Sequence, residues 1–320
     1  VKHRLRLGIL GTGLAARLLY LPAIKKLRHK IDVVACANRR RSKAEDYALL
    51  AGIPKVVDTA EDLIALPEVQ ALLISLPIDV QPRYIRMALA RGKAVLSEKP
   101  VAPSVAAAKR LLKSTEIFES PWMVGENFHF MPHVRQLLKW IKGGRLGDLR
   151  VIEATHITKM DRENPYFHTA WRRKPKFIGG FVVDGGVHLA HVVRLCVGMP
   201  LVVRNRTASF DPALPPIDCA VAALEFSGGL LGTWTSCFSG HYHGPILRIS
   251  GSQGYSELGW DHATLYDRRG KQTVVKSTVD SFYAEFDHFA DVVCKGVSPA
   301  VTPQDALQDL AFMEALVRGA

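Results

Sequence analysis

Asp184 and His188 stand four residues apart, a spacing that places both side chains on one face of a helix. A carboxylate beside an imidazole suits proton transfer near neutral pH, where imidazole titrates. Gly179 and Gly180 precede them, so a ligand could approach this backbone closely. His191 adds a third polar group to the same face. A metal held by Asp184, His188 and His191 would need a further spaced ligand, and none is expected. Far upstream, Glu98-Lys99-Pro100 follows the apolar run Ala94-Val95-Leu96. Lys99 is therefore expected at the carboxyl end of a buried strand, with its backbone held extended by the proline. There an ammonium can donate to a substrate hydroxyl and a cofactor ribose, and its charge can stabilise a developing alkoxide.

Gly11-Thr12-Gly13-Leu14-Ala15-Ala16 lies between a buried strand, Leu7-Gly8-Ile9-Leu10, and a helix. In that context a glycine fingerprint holds a dinucleotide pyrophosphate on a helix N-terminus. Gly11 serves the tight turn, Gly13 admits the pyrophosphate, and Ala16 permits close helix packing. An NAD enzyme usually places a carboxylate at the end of its second strand, against the ribose hydroxyls. This chain has Ala37-Asn38-Arg39-Arg40 there instead. Asn38 can bond a ribose oxygen, and Arg39 with Arg40 can meet a 2′-phosphate, so NADP(H) is expected in preference to NAD(H). Arg41 and Lys43 read as the solvated start of the next helix. Ser75-Leu76-Pro77 ends another strand at the same edge. Oxidising a secondary alcohol removes a hydroxyl proton as hydride leaves the carbon, and these groups together suit that reaction.

On the fingerprint, on Glu98-Lys99-Pro100 and on Asp184-Gly185-Gly186-Val187-His188, the chain resembles the Gfo/Idh/MocA oxidoreductase family over nearly its whole length. The resemblance implies that Lys99 is the active-site lysine and His188 the general acid/base. Asp184 would orient His188 or share the substrate hydroxyl. Ser75, Leu76 and Pro77 would pass the nicotinamide half of the cofactor, with Glu98 and Lys99 beside them. Two departures stand out. Gln81-Pro82-Arg83 occupies the place where the family usually opens the next helix with a histidine, which leaves that loop only cofactor packing. Many relatives also carry a carboxylate where His191 stands. Relatives pair through the exposed face of the second-domain sheet, so a homodimer or homotetramer is expected. The rival reading is a non-catalytic NADP-binding sensor on the same scaffold, which would not need to keep Lys99, Asp184 and His188.

On the substrate side the candidates are Lys99, Asn127, Trp171, Arg172, Asp184 and His188. Aromatic faces with amide and imidazole donors suit a sugar-like or other polar small molecule.

The elements that would position these residues follow from periodicity. Apolar, β-branched runs at 5–10, 31–37, 69–76, 94–97 and 122–125 alternate with helical patterns, as in a doubly wound parallel sheet. Ser42 and Thr59 open capping-box patterns, Gly52 marks a helix end, and Pro22 should kink or divide the first helix. After a helix over 132–141, strands dominate: 149–158, 201–208, 219–226, 230–237, 246–250 and 255–258. These predict a mostly antiparallel sheet, interrupted by a helix over 180–197. A helix begins near Asp280, and a last one has Thr302 as N-cap and Pro303 at its first position. The expected fold is α/β plus α+β: a Rossmann domain over 1–123 and a substrate-binding and oligomerisation domain over 124–320.

Composition sets outer bounds. With 320 residues and 48% hydrophobic content, two cores of ordinary size can be buried. The formal charge of +12 is scattered over amphipathic helices, apart from Arg39-Arg40-Arg41 and Arg172-Arg173-Lys174, so an anionic small molecule is expected and a nucleic acid is not. No stretch reads as membrane-spanning, and Lys2-His3-Arg4 leads into a strand with no cleavable signal pattern, so no membrane partner and a cytoplasmic location are expected. Cys36, Cys196, Cys219, Cys237 and Cys294 include no close pair in sequence and read as buried small apolar residues.

Overall fold

The computed structural model describes residues 4–318, so the expectation for Lys2 and His3 lies outside the described residues. In the first part of the chain, strands β1 (Leu5–Leu10), β2 (Ile31–Ala37), β3 (Val56–Val57), β4 (Ala71–Ile74), β5 (Ala94–Ser97) and β6 (Trp122–Val124) alternate with helices. These are α1 (Leu21–Lys26), α2 (Arg41–Ala51), α3 (Ala60–Ala65), α4 (Gln81–Ala90) and α5 (Val105–Thr115). The six strands form one parallel sheet in the order β3-β2-β1-β4-β5-β6. β4 and β5 are buried at every residue, as a parallel sheet covered by helices requires. The strand order reverses between β1 and β4, and the crevice at such a reversal is where this architecture binds ligands.

Most local signals act as the sequence implies. Thr59 caps α3 by accepting the Asp62 N–H, and Gly52 ends α2 in the left-handed region. Ser42 does not cap: α2 begins at Arg41 with no side-chain cap. Its first turn is tied by the Arg41 guanidinium to Glu45 and Asp58 instead. The helix after the fingerprint runs from Leu14 to Lys26, with a π-turn over Ala16–Tyr20. The wide turn ends with the Leu21 N–H on the Ala16 carbonyl. Pro22, which has no N–H, follows directly on this wide turn, and the helix continues through it undivided.

Beyond β6 come α6 (Pro132–Lys142), β7 (Leu149–Ile157), α7 (Ala170–Arg173), α8 (Gly180–Val197), β8 (Val202–Ala208), β9 (Cys219–Glu225), β10 (Leu231–Cys237), β11 (Leu247–Gly251), β12 (Gly254–Leu258), β13 (His262–Asp267) and β14 (Gln272–Lys276). The chain closes with α9 (Ser281–Lys295), capped by Asp280, and α10 (Pro303–Val317), where Thr302 accepts the Asp305 N–H. The second sheet has eight strands in the order β14-β13-β12-β11-β7-β10-β9-β8. It is antiparallel except where β10 runs parallel to β7. β13 and β14 escaped the sequence reading, the latter because Gln272-Thr273-Val274-Val275-Lys276 is an exposed strand without apolar alternation.

Two expectations need correction. α8 has the length and apolar composition of a membrane-spanning helix, but 67% of it is buried, as in the core helix of a globular unit. Of the five cysteines read as buried, only Cys36 is: Cys294 is exposed and Cys196, Cys219 and Cys237 are half-buried, the last two opposed in register across β9 and β10. The chain divides into two compact units, one comprising residues up to Asn127 together with Asp280–Leu307, the other Phe128–Val279 and the chain from Gln308. The sequence reading drew one boundary, at 123/124, and had no signal that α9 returns to the first unit.

Candidate active site

In the first unit three loops leave the carboxyl ends of β1, β4 and β5 at one edge of the sheet. Gly11 has φ +97°, and a Cβ there would lie 2.1 Å from the Ser75 carbonyl oxygen and 3.1 Å from Leu76 Cδ2. The fold itself therefore demands glycine at this position. Gly13 is different: no protein atom lies within 4 Å of where its Cβ would stand. A helix begins at the next residue, so the exposed Gly13 backbone and the first turn, Leu14 and Ala15, can meet an anion there. These features fit a dinucleotide pyrophosphate. Thr12 faces the other way, fully buried with Oγ1 donating to the Lys43 carbonyl, so its hydroxyl is structural.

At the end of β2 the Asn38 side-chain amide donates to the Arg40 carbonyl, which shapes the turn and leaves its oxygen as an acceptor. Arg39 and Arg40 are exposed and pair with no acidic group among the described residues, in contrast to Arg41.

The Lys99 turn is clamped from α4. Gln81, fully buried, donates from Nε2 to the carbonyls of Glu98 and Pro100, at 3.0 and 2.6 Å, bracketing Lys99. The Lys99–Pro100 peptide is cis. Gln81 thus has a structural task at the position where the family resemblance marks a departure. Glu98 turns towards its own unit: Oε1 accepts from the Tyr20 hydroxyl and Oε2 from the Lys99 N–H. Tyr20 meets Phe282 and Phe286 of α9 edge to face. Glu285, also on α9, is buried, and its Oε1 has no hydrogen-bond partner among the described residues. Burial, reinforced by Glu98 and Glu126, holds its carboxyl neutral well above the usual carboxylate range. Asn127 donates to Ser281 Oγ at 3.0 Å, so its amide nitrogen is engaged with α9.

In the second unit α8 carries Asp184, His188 and His191. Asp184 is buried, and Arg172 Nε donates to Oδ2 at 2.6 Å. The guanidinium lies over the Trp171 ring at 4.0 Å and near the Tyr166 ring at 4.8 Å. Arg172 is therefore engaged in fixing a buried carboxylate. The half-buried His188 ring stacks on Phe128, with centroids 4.7 Å apart and planes 13° apart. His191 is fully buried: Nδ1 meets Asp309 Oδ2 at 2.8 Å, and Nε2 meets His129 Nδ1 at 3.1 Å. Arg194 holds the other Asp309 oxygen at 2.6 Å. With His191 neutral, this order makes Nδ1 its donor and Nε2 its acceptor. The three α8 side chains share one face, as their spacing implies; Asp184 is fixed by an ion pair and His191 by hydrogen bonds.

A family model described as "Oxidoreductase family, NAD-binding Rossmann fold" matches residues 5–125, and one described as "Oxidoreductase family, C-terminal alpha/beta domain" matches residues 139–320. The chain belongs to the Gfo/Idh/MocA oxidoreductase family. An oxidoreductase of Thermotoga maritima has a similar crystal structure, with TM-score 0.94 and 34% identity over 99% of this chain and 97% of that one. A dehydrogenase of Fusarium mangiferae is 29% identical over 98% of this chain and 96% of its own. The trans-1,2-dihydrobenzene-1,2-diol dehydrogenase of Bos taurus is 27% identical over 79% of this chain and 74% of its own. As a Gfo/Idh/MocA protein, the chain is an oxidoreductase with an NAD(P)-binding Rossmann domain.

Sequence reasoning missed Tyr20, Glu285 and Asp309, and the hydrogen bonds made by Gln81 and His129. Two of these carried a readable signal. Glu285 lies on the apolar stripe of Phe282, Phe286 and Phe289, and Asp309 on that of Ala306, Leu310 and Met313. A carboxylate on a core-facing stripe must be paired or neutral. Gln81 and His129 had no such signal, because both sit at element ends, where polar residues are ordinary.

Proposed function

We propose that this oxidoreductase transfers hydride between the nicotinamide of NADP(H) and a secondary alcohol or ketone of a sugar-like or other polar small molecule. The observation that carries the reading is the built setting of Lys99: it ends β5 at the same sheet edge as the Gly11 turn, and a buried glutamine brackets it. The preference for NADP(H) is supported by Arg39 and Arg40, exposed and unpaired where no carboxylate stands.

The nicotinamide supplies the hydride acceptor or donor when bound. Gly13 and the first helical turn bind the pyrophosphate, and Arg39 the 2′-phosphate. Lys99 donates to the substrate oxygen and offsets its negative charge as hydride moves. His188 takes the hydroxyl proton in oxidation and returns one in reduction, with Phe128 limiting the rotation of its ring. Asp184, held by Arg172, keeps a fixed negative charge one helical turn before His188.

The test begins with a panel of sugars, polyols and carbonyl compounds, assayed by nicotinamide absorbance. On the substrate found, Lys99→Met and His188→Ala should lose turnover and keep cofactor affinity, the latter read by titrating NADPH fluorescence. Near-normal turnover in either variant would remove that residue from the mechanism.

A further inference from the structure

We propose that Cys219 and Cys237 form a thiol modification site, which small-molecule disulfides oxidise reversibly to an intrachain cross-strand disulfide. The two residues close the register between β9 and β10. Hydrogen bonds from Phe226 N–H to the Leu230 carbonyl and from Phe238 N–H to the Asp218 carbonyl join residues directly opposite each other in that register. Opposed pairs alternate between bonded and non-bonded, so counting in from either end makes Cys219 and Cys237 a non-hydrogen-bonded pair. Such pairs hold Cα atoms about 4.5 Å apart, against roughly 4.4–6.8 Å in disulfides. Both side chains point to the same face and are half-buried, and the two thiols are near enough to act on each other electrostatically. No other two of the five cysteines are opposed across strands, since Cys36 lies in the other sheet and Cys196 and Cys294 lie on helices.

Ser239 Oγ lies 3.4 Å from Cys237 Sγ and offers a polar neighbour to a thiolate. Burial, with the charge of Cys237 adding to it, pushes the Cys219 thiol up to about 11. Cys237, the one of the pair with this polar neighbour, is assigned as the entering sulfur. Its thiolate attacks one sulfur of an oxidised small-molecule disulfide and expels a thiolate, leaving a mixed disulfide. Cys219 then gives up its proton and attacks the Cys237 sulfur, expelling the second small thiolate. Two protein thiols are oxidised, one small disulfide is reduced to two thiols, and the two protons pass to the leaving groups. The stapled strand end continues into Phe238, whose ring would lie 2.5 Å from a Cβ on Gly185, in the motif that carries Asp184 and His188.

The test is equilibration of the whole protein with oxidised glutathione, an acid quench, alkylation in denaturant and peptide mapping. A Cys219–Cys237 cross-link lighter by two hydrogen atoms, lost on treatment with dithiothreitol, is expected. Cys219→Ser should accumulate glutathione on Cys237, whereas Cys237→Ser should leave Cys219 alkylatable. Full alkylation of both cysteines in the unmodified protein would overturn the proposal. So would a cross-link between two chains, or glutathione retained on Cys219.

Discussion

Gly11→Ala and Gly13→Ala, two residues apart, should fail for opposite reasons. At Gly11 the added methyl would sit 2.1 Å from the Ser75 carbonyl oxygen and 2.9 Å from its carbon. Neither partner yields easily, because Gly11 N–H is bonded to the Ala37 carbonyl and Ser75 N–H to the Leu10 carbonyl, both at 2.9 Å. The residue also stays at φ +97°, where an L side chain is strained. Backbone strain of about 1–3 kcal/mol and overpacking of about 1–3 kcal/mol together suggest a loss of about 2–6 kcal/mol. That is a large part of a domain's usual stability of about 5–15 kcal/mol. At Gly13 there is no clash and no positive φ, so alanine should leave stability unchanged or raise it by about 0.4–1 kcal/mol. Its methyl instead fills the space over the loop where the pyrophosphate is expected, and a tenfold loss of affinity corresponds to about 1.4 kcal/mol. Urea denaturation with and without NADPH separates the two effects. NADPH at about one hundred times its Kd should stabilise the unmodified protein by about 2.7 kcal/mol, and a Gly13→Ala protein with tenfold weaker binding by only about 1.4 kcal/mol. Equal NADPH stabilisation in both proteins would remove Gly13 from the cofactor cradle. Unmodified stability in Gly11→Ala would refute the steric argument.

Arg39→Ala should weaken NADP(H) binding and leave NAD(H) nearly untouched, since only the former carries a 2′-phosphate; equal affinities for both cofactors in the unmodified protein, by calorimetric titration, would refute the preference. Glu285→Gln keeps the shape of the neutral carboxyl and removes its titration. Because the folded pKa is raised, stability is intact below the ordinary carboxylate value and falls as pH rises above it, by about 1.4 kcal/mol per pH unit, until the folded carboxyl itself ionises. The variant should therefore match the unmodified protein near pH 4 and exceed it at pH 7, and identical urea midpoints at both would count against a neutral Glu285. His191→Leu removes a partner of the buried Asp309, at about 1–3 kcal/mol, so an unchanged midpoint would exclude the chain as a stabilising network.

What could be read in advance divides by the kind of physics involved. The parallel sheet was legible because strands buried on both faces read as unbroken apolar runs, and the fingerprint because its turn excludes side chains at Gly11. Asp184, His188 and His191 were legible as a set because helical spacing alone fixes a shared face. Periodicity cannot report which groups those side chains meet. Arg172 was read as a pocket residue, and only the fold shows that it lies over Trp171 and binds Asp184. His191 was left open, and its partner Asp309 lies 118 residues further on. The same limit hid the Cys219–Cys237 pair, because antiparallel register, not distance along the chain, sets which residues face each other. Gln81 shows the reverse error. A departure from the family pattern suggested a lost role, whereas a buried carboxamide can hold a turn by donating to two carbonyls at once. Motif comparison registers that a side chain has changed, but only the fold shows that the new one has taken up the backbone bonds of the Lys99 turn.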